Sequence, residues 1–224
     1  MIQCLPKFFR LGWRTTRQAG LHRPTLYDSH CNFSLRSTDL TYYFIPQALK
    51  YPLKPSCSLR INQAQMWMRD SALAVNLINK AMELIHPQLF SSSMAVRDEL
   101  RKGALTKDLA SEWESVYTAV SVIINRTTKE HRDCGGEPGW YDFLLTLGNH
   151  SYTTLDFPEL GVQLMYNPGT AVAFCANALR HSVPAWGWGD RICYAFFNKK
   201  VVMERFGRVE AGWMMLTDLT FLQK

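Results

Sequence analysis

Between residues 113 and 206 the chain breaks into short runs rich in β-branched and aromatic residues, most of them cut off by Gly or Pro. The runs cover residues 116–124, 140–148, 161–166, 170–174, 181–183 and 190–197. Such residue types suit a pleated, half-buried surface, and runs of this length are strands rather than helices. Regular short strands joined by tight turns, such as Gly-Gly-Glu-Pro-Gly at 135–139, restrict the fold to a sandwich or a barrel. Ahead of them, from residue 62 to about 105, the period changes. Met66, Ala72, Val75, Leu77, Ile78, Ala81, Met82 and Ile85 recur mostly at three- and four-residue steps, which predicts a core-facing helix ended by Pro87. A second helix is expected over 92–102, with Asp98 and Glu99 on its wet side and Gly103 as its stop. The expected class is therefore α+β, mainly β, with two helices bracing one face.

Charge divides the chain at about residue 60. Residues 1–60 hold nine Lys/Arg against two acids, a net of +7, whereas residues 61–224 hold 16 against 17, a net of −1. The overall +6 is thus the property of a basic N-terminal segment, 1–60, which Pro6, Pro24, Pro46, Pro52 and Pro55 mark as irregular. That segment reads as an arm on a phosphate backbone, as an arginine-rich targeting peptide, or as a solvated tail. Residues 61–224 are expected to form one domain, with helical support over 62–105 and a β core over 113–206. No apolar run approaches the length needed to cross a bilayer, so a soluble protein without a membrane partner is expected. The six cysteines include no Cys-x-x-Cys pair, which argues against a zinc knuckle and for free thiols.

Chemistry enters with His131-Arg132-Asp133, just after the β-branched run at 116–124, and with His181 and Arg191 far downstream. Two imidazoles and one carboxylate from separate strands are the ligands of a facial iron(II) site with open positions. An arginine beyond the last ligand is what a dicarboxylate co-substrate needs. His131 and Asp133 share side-chain parity, and the ten residues from His181 to Arg191 fit one hairpin. With six histidines and ten aspartates a His-x-Asp pair also arises readily by chance. The plain alternative is two structural histidines and an Arg191 that closes a salt bridge.

Several motifs in one order carry a family resemblance over residues 115–206. Asn125-Arg126, His131-Arg132-Asp133, Trp140-Tyr141-Asp142-Phe143-Leu144, Asn167-Pro168-Gly169-Thr170, Leu179-Arg180-His181 and Gly189-Asp190-Arg191-Ile192-Cys193-Tyr194 resemble the TET/JBP family, and within it the compact fungal branch. These are Fe(II)/2-oxoglutarate-dependent oxygenases of modified bases in DNA. The resemblance implies a double-stranded β-helix (jelly-roll) core and Fe(II) held by His131, Asp133 and His181. It implies 2-oxoglutarate gripped by Arg191 with help from Arg126, and O2 as oxidant. It further implies a DNA partner carrying methylated bases, a monomer with no obligate protein partner, and a place in the nucleus.

Phe197 falls where the family stacks an aromatic on a flipped base; Phe196, of opposite parity, competes for that role, and ordinary packing is the alternative for both. Some members carry an aspartate three residues after the metal aspartate and a histidine eight after the arginine. This chain has Gly136 and Lys199 there. That loosens the reading from 5-methylcytosine alone and admits N6-methyladenine, with Lys199 as the substituted substrate contact. A protein or small-molecule hydroxylase and a silent DNA-binding relative complete the alternatives. Trp186-Gly187-Trp188-Gly189 reads either as a mobile lip or as a hairpin tip. Lys199, Lys200, Arg205 and Arg208 read as phosphate contacts or, with Glu204 and Glu210, as a solvated face.

Overall fold

One strand organises the molecule: β10 (Arg191–Phe197), central in a six-stranded antiparallel sheet and alternating between two interiors. The computed structural model describes residues 38–43, 53–56, 59 and 62–219. Within these, β1 (Thr38–Tyr43), β2 (Lys54–Pro55), β3 (Ala119–Ile124), β5 (Asp142–Gly148) and β8 (Ala171–Phe174) join β10 in the order β2-β1-β3-β10-β5-β8. A second antiparallel sheet runs β4-β9-β6-β7, built from β4 (Thr128–His131), β6 (Thr154–Phe157), β7 (Val162–Met165) and β9 (His181–Val183). Two facing antiparallel sheets with strands that switch between them make the expected double-stranded β-helix.

The period-2 rule of a strand gives β10 its two faces. Tyr194 and Phe196 point outward into a core shared with α1 (Asn62–Ile85) and α2 (Pro87–Lys102), where Trp67, Met82, Leu89 and Val96 are buried. Cys193 points inward with Leu144, into a second core closed by Leu155, Phe157, Phe174 and Val183 of the other strands. The helices thus brace the outer face of the larger sheet, as expected. No helix among the described residues is long and apolar enough to cross a membrane.

The structure corrects several boundaries. Helix α2 starts at Pro87, not at residue 92. Pro sits in its first turn, where no amide is needed, and buried His86 caps it by accepting from Leu89 N through Nδ1 at 3.3 Å. A short α3 (Lys107–Glu112) follows, and α4 (Lys200–Arg205) comes after β10. Strand β1 lies in the stretch expected to be irregular, and its register on β3 pairs Leu40 with Val120. The rest of that basic stretch, with Cys4, Cys31 and Cys57, lies mostly outside the described residues. Cys134, Cys175 and Cys193 are free thiols. His181 and Arg191 do not belong to one hairpin: β9 pairs with β4 and β6, β10 with β3 and β5, so their connection crosses from sheet to sheet. Met66 and Leu77 point away from the core, at 49% and 65% exposure, although their spacing suggested a core face.

Candidate active site

The two histidines face each other across the pairing of β4 and β9, where His131 is directly opposite His181 and the rings lie 4.3 Å apart. Asp133 follows β4, and its backbone N–H is fixed by the Ala176 carbonyl at 2.9 Å. The ligand atoms of His131, Asp133 and His181 all lie within 4.8 Å of one another. Each imidazole is held from behind in the same way. His131 Nδ1 meets the Lys129 carbonyl at 2.9 Å, and His181 Nδ1 meets the Leu179 carbonyl at 3.1 Å. A carbonyl can only accept, so both rings carry their proton on Nδ1 and turn Nε2 toward the cluster.

That arrangement poses an electrostatic problem. His131 Nε2 lies 3.1 Å from Asp133 Oδ1, so a neutral ring would set two lone pairs against each other. Either a second proton on His131 or a shared cation resolves it. The hydrogen bond to Asp133 indeed raises the His131 pKa, while burial lowers that of His181. A donor set of two nitrogens and one carboxylate, with one side open to the cavity, fits a non-haem Fe(II). Outside the cluster, a single carboxylate ties both ligand segments together. Glu159, in the turn after β6, accepts from the Arg132 side chain and from Arg180 N at 3.0 Å, and Arg180 reaches Glu130 at 2.6 Å.

The cluster sits in a cavity of about 210 Å³ between the two sheets. Arg191 closes one end and is 2% exposed. Its Nη1 donates to the Arg126 carbonyl at 3.1 Å, the Tyr166 ring lies 5.6 Å from its guanidinium, and its Nε has no hydrogen-bond partner. The salt-bridge alternative therefore fails among the described residues. A buried guanidinium with an orphaned donor is a site for an anion, and a planar fork suits a carboxylate. Arg126 also lines the cavity. Gly148, opposite Arg191 in the β5 register, has φ +114, and a Cβ there would strike the Asp190 carbonyl.

At the other end Phe197 lines the cavity, whereas Phe196 is buried in the helix–sheet core, so strand parity separates the two candidates. Gly136 also lines it, and a Cβ there would meet only the Asn198 carbonyl, at an ordinary 3.8 Å. Lys199 is not among the lining residues. β10 ends at Phe197, the Asn198 side chain is buried, and Lys199 is half-buried with its N–H on Thr118 Oγ1 at 2.8 Å. Lys200 is paired with Glu137 at 2.6 Å rather than standing free. Nor do Trp186–Gly189 form a lip over the cavity: none lines it, and Gly187 N bonds Ser151 O at 2.7 Å.

Sequence reasoning missed Asp142. It stands on the inner face of β5, lines the cavity and is 8% exposed. Burial, and secondarily the Asp133 charge, hold its carboxyl well above the usual carboxylate range. An acid between Tyr141 and Phe143 in a strand that is otherwise apolar was the available signal.

A jelly-roll whose inner face carries a two-histidine, one-carboxylate cluster, with a buried arginine behind it, defines the class of 2-oxoglutarate- and iron(II)-dependent oxygenases. The chain belongs to the TET/JBP family, the oxygenase domain of that superfamily, whose profile matches residues 44–200. Among solved structures it is similar to NgTET1 in complex with 5mC DNA, with a TM-score of 0.56 and 15% identity. That match covers 77% of this chain and spans just under two thirds, 64%, of the other. No curated protein matches the chain.

Proposed function

We propose that this protein is a dioxygenase that oxidises the methyl group of modified bases in DNA, working in the nucleus on 5-methylcytosine, to 5-hydroxymethylcytosine and further. The observation that carries the reading is one continuous cavity with three stations. An anion-seeking arginine closes it, two imidazoles and a carboxylate stand in the middle, and an aromatic ring with a buried carboxyl lies beyond. The solved complex of the similar NgTET1 with 5mC DNA supports a DNA substrate.

His131, Asp133 and His181 would hold Fe(II), through Nε2 of both rings. Bound with 2-oxoglutarate, the iron supplies O2-dependent oxidation of an unactivated C–H bond as the keto acid goes to succinate and carbon dioxide. Arg191 would take the distal carboxylate of the co-substrate and so satisfy its free Nε, with Arg126 beside it. Phe197 would stack on a base turned out of the duplex. Burial holds the Asp142 carboxyl above its usual range, and in its protonated form it would both donate and accept, which matches an edge that presents one ring nitrogen and one exocyclic N–H. Leu144, Leu155 and Val183 add apolar walls to the same cavity.

N6-methyladenine stands as the second reading because of Gly136. Backbone geometry does not require glycine there, so what it provides is room, and a purine is the larger guest. The test is nucleoside mass spectrometry after incubation with Fe(II), 2-oxoglutarate and duplexes carrying either base. Oxidised 5-methylcytosine is expected, and the His131→Ala/Asp133→Ala variant should give no product with either base. Oxidised base from that variant would refute the metal assignment. Turnover on peptide pools and not on DNA would favour a protein hydroxylase, and no turnover at all a silent relative.

A further inference from the structure

Helix α1 has two apolar faces, and among the described residues only one of them is covered. Trp67, Met68, Val75, Ile78 and Met82 are buried against the sheet. On the opposite side Met66, Leu73, Leu77 and Leu84 are 49, 57, 65 and 56% exposed. At about 100° per residue these four share one narrow stripe with Asp70 and Lys80. Steps of four, three, four, three and four residues from Met66 to Leu84 are the spacing of a seam between two paired helices.

The stripe is also symmetric. Reading outward from Val75, Leu73 mirrors Leu77, Asp70 mirrors Lys80 and Met66 mirrors Leu84. If α1 meets a second α1 antiparallel about a two-fold axis at Val75, each apolar residue faces an apolar one. Asp70 of each copy then faces Lys80 of the other, so every contact is made twice, as an isologous interface requires. A parallel pairing would instead set Asp70 against Asp70 and Lys80 against Lys80. Lys80 bonds Glu83 at 2.6 Å within the helix, an exposed pair that costs little to exchange.

We propose that the occupant of this stripe is a second copy of the same chain, paired through α1 as an antiparallel two-fold dimer, in place of the monomer expected from the sequence. The inference is independent of the reaction assigned above. α1 covers the outer face of the larger sheet while the cavity lies between the sheets, so the dimer keeps both cavities open. The seam is about 27 Å long, a small interface, so a dissociation constant on the order of 10–100 μM is expected.

Sedimentation of the full chain between about 1 and 200 μM tests this, and it should show a monomer–dimer equilibrium in that range. Asp70→Lys alone and Lys80→Asp alone should each weaken association about tenfold or more, since each sets like charges across the seam twice. The double variant D70K/K80D should recover to within about threefold of the parent, a rescue that only antiparallel self-pairing produces. Leu77→Glu should abolish association, and its melting temperature checks that the fold survives. A chain that stays monomeric at the top of the range, a double variant as weak as the singles, or a dimer that survives Leu77→Glu would each overturn the proposal. The first of these would leave the stripe to a different partner.

Discussion

Arg191 is the clearest single bearer of the co-substrate reading, because among the described residues its buried guanidinium has no ion pair and its Nε has no partner, an arrangement that suits an incoming anion. Arg191→Lys keeps the charge and loses the fork, so the KM for 2-oxoglutarate should rise about tenfold or more while iron affinity stays unchanged. Isothermal titration of Fe(II) alongside steady-state kinetics separates the two. Asp142 gives a pH-dependent expectation. Its folded carboxyl titrates above the unfolded one, so as pH rises past about 4 the unfolded chain releases a proton that the native one keeps. Native stability therefore falls with rising pH across that window. Asp142→Asn lacks the loss, so its melting temperature relative to the parent should climb between pH 4 and 7 in metal-free protein; a flat difference would contradict this. Gly136→Asp should depress N6-methyladenine oxidation more than 5-methylcytosine oxidation in competition assays. Of these residues Arg191 and the three ligands are candidates from spacing that the family resemblance singles out, Phe197 comes from that resemblance alone, and one cavity brings all five together. Asp142 was not legible, because its side of the sheet depends on strand order. Lys199 comes from the family position eight residues after the arginine; β10 stops at Phe197, and Lys199 is not among the residues that line the cavity.

Elements hold the ligands through groups that never touch the cavity. Glu159 binds the segment between His131 and Asp133 and the one before His181, so Glu159→Gln should lower Fe(II) affinity by about tenfold with the fold intact. Asn198 does the comparable work on the other sheet face. It accepts from Thr118 N at 3.0 Å and donates to Ser93 of α2 at 2.8 Å, and Asn198→Ala should cost about 1–3 kcal/mol in a denaturant melt. Apolar strands were readable in the sequence. β4 was not, because Thr-Lys-Glu-His shows no alternation and draws its order from pairing with β9. α1 was readable as a helix but its faces were merged: Met66 and Leu77 were counted with Val75 and Ile78, although they lie on opposite sides.

The whole molecule keeps support and chemistry in separate interiors that meet at one sheet. Met82→Ala in the helix–sheet core should cost about 2–5 kcal/mol of stability and leave kcat nearly unchanged. Leu155→Ala, in the wall shared with the cavity, should lower both, and parallel melts and turnover numbers will tell them apart. Composition and period were enough for two braced layers; the order of strands was not, since pairing between residues distant in sequence leaves no local mark. β10 belongs to both interiors at once, with Arg191, Cys193, Ala195 and Phe197 toward the cavity and Ile192, Tyr194 and Phe196 toward the helices. A single inserted or deleted residue in it would turn every side chain beyond that point to the wrong side. Point substitutions can be absorbed one interior at a time, but a change of length cannot, so divergence along this lineage must pass through β10 without a gap.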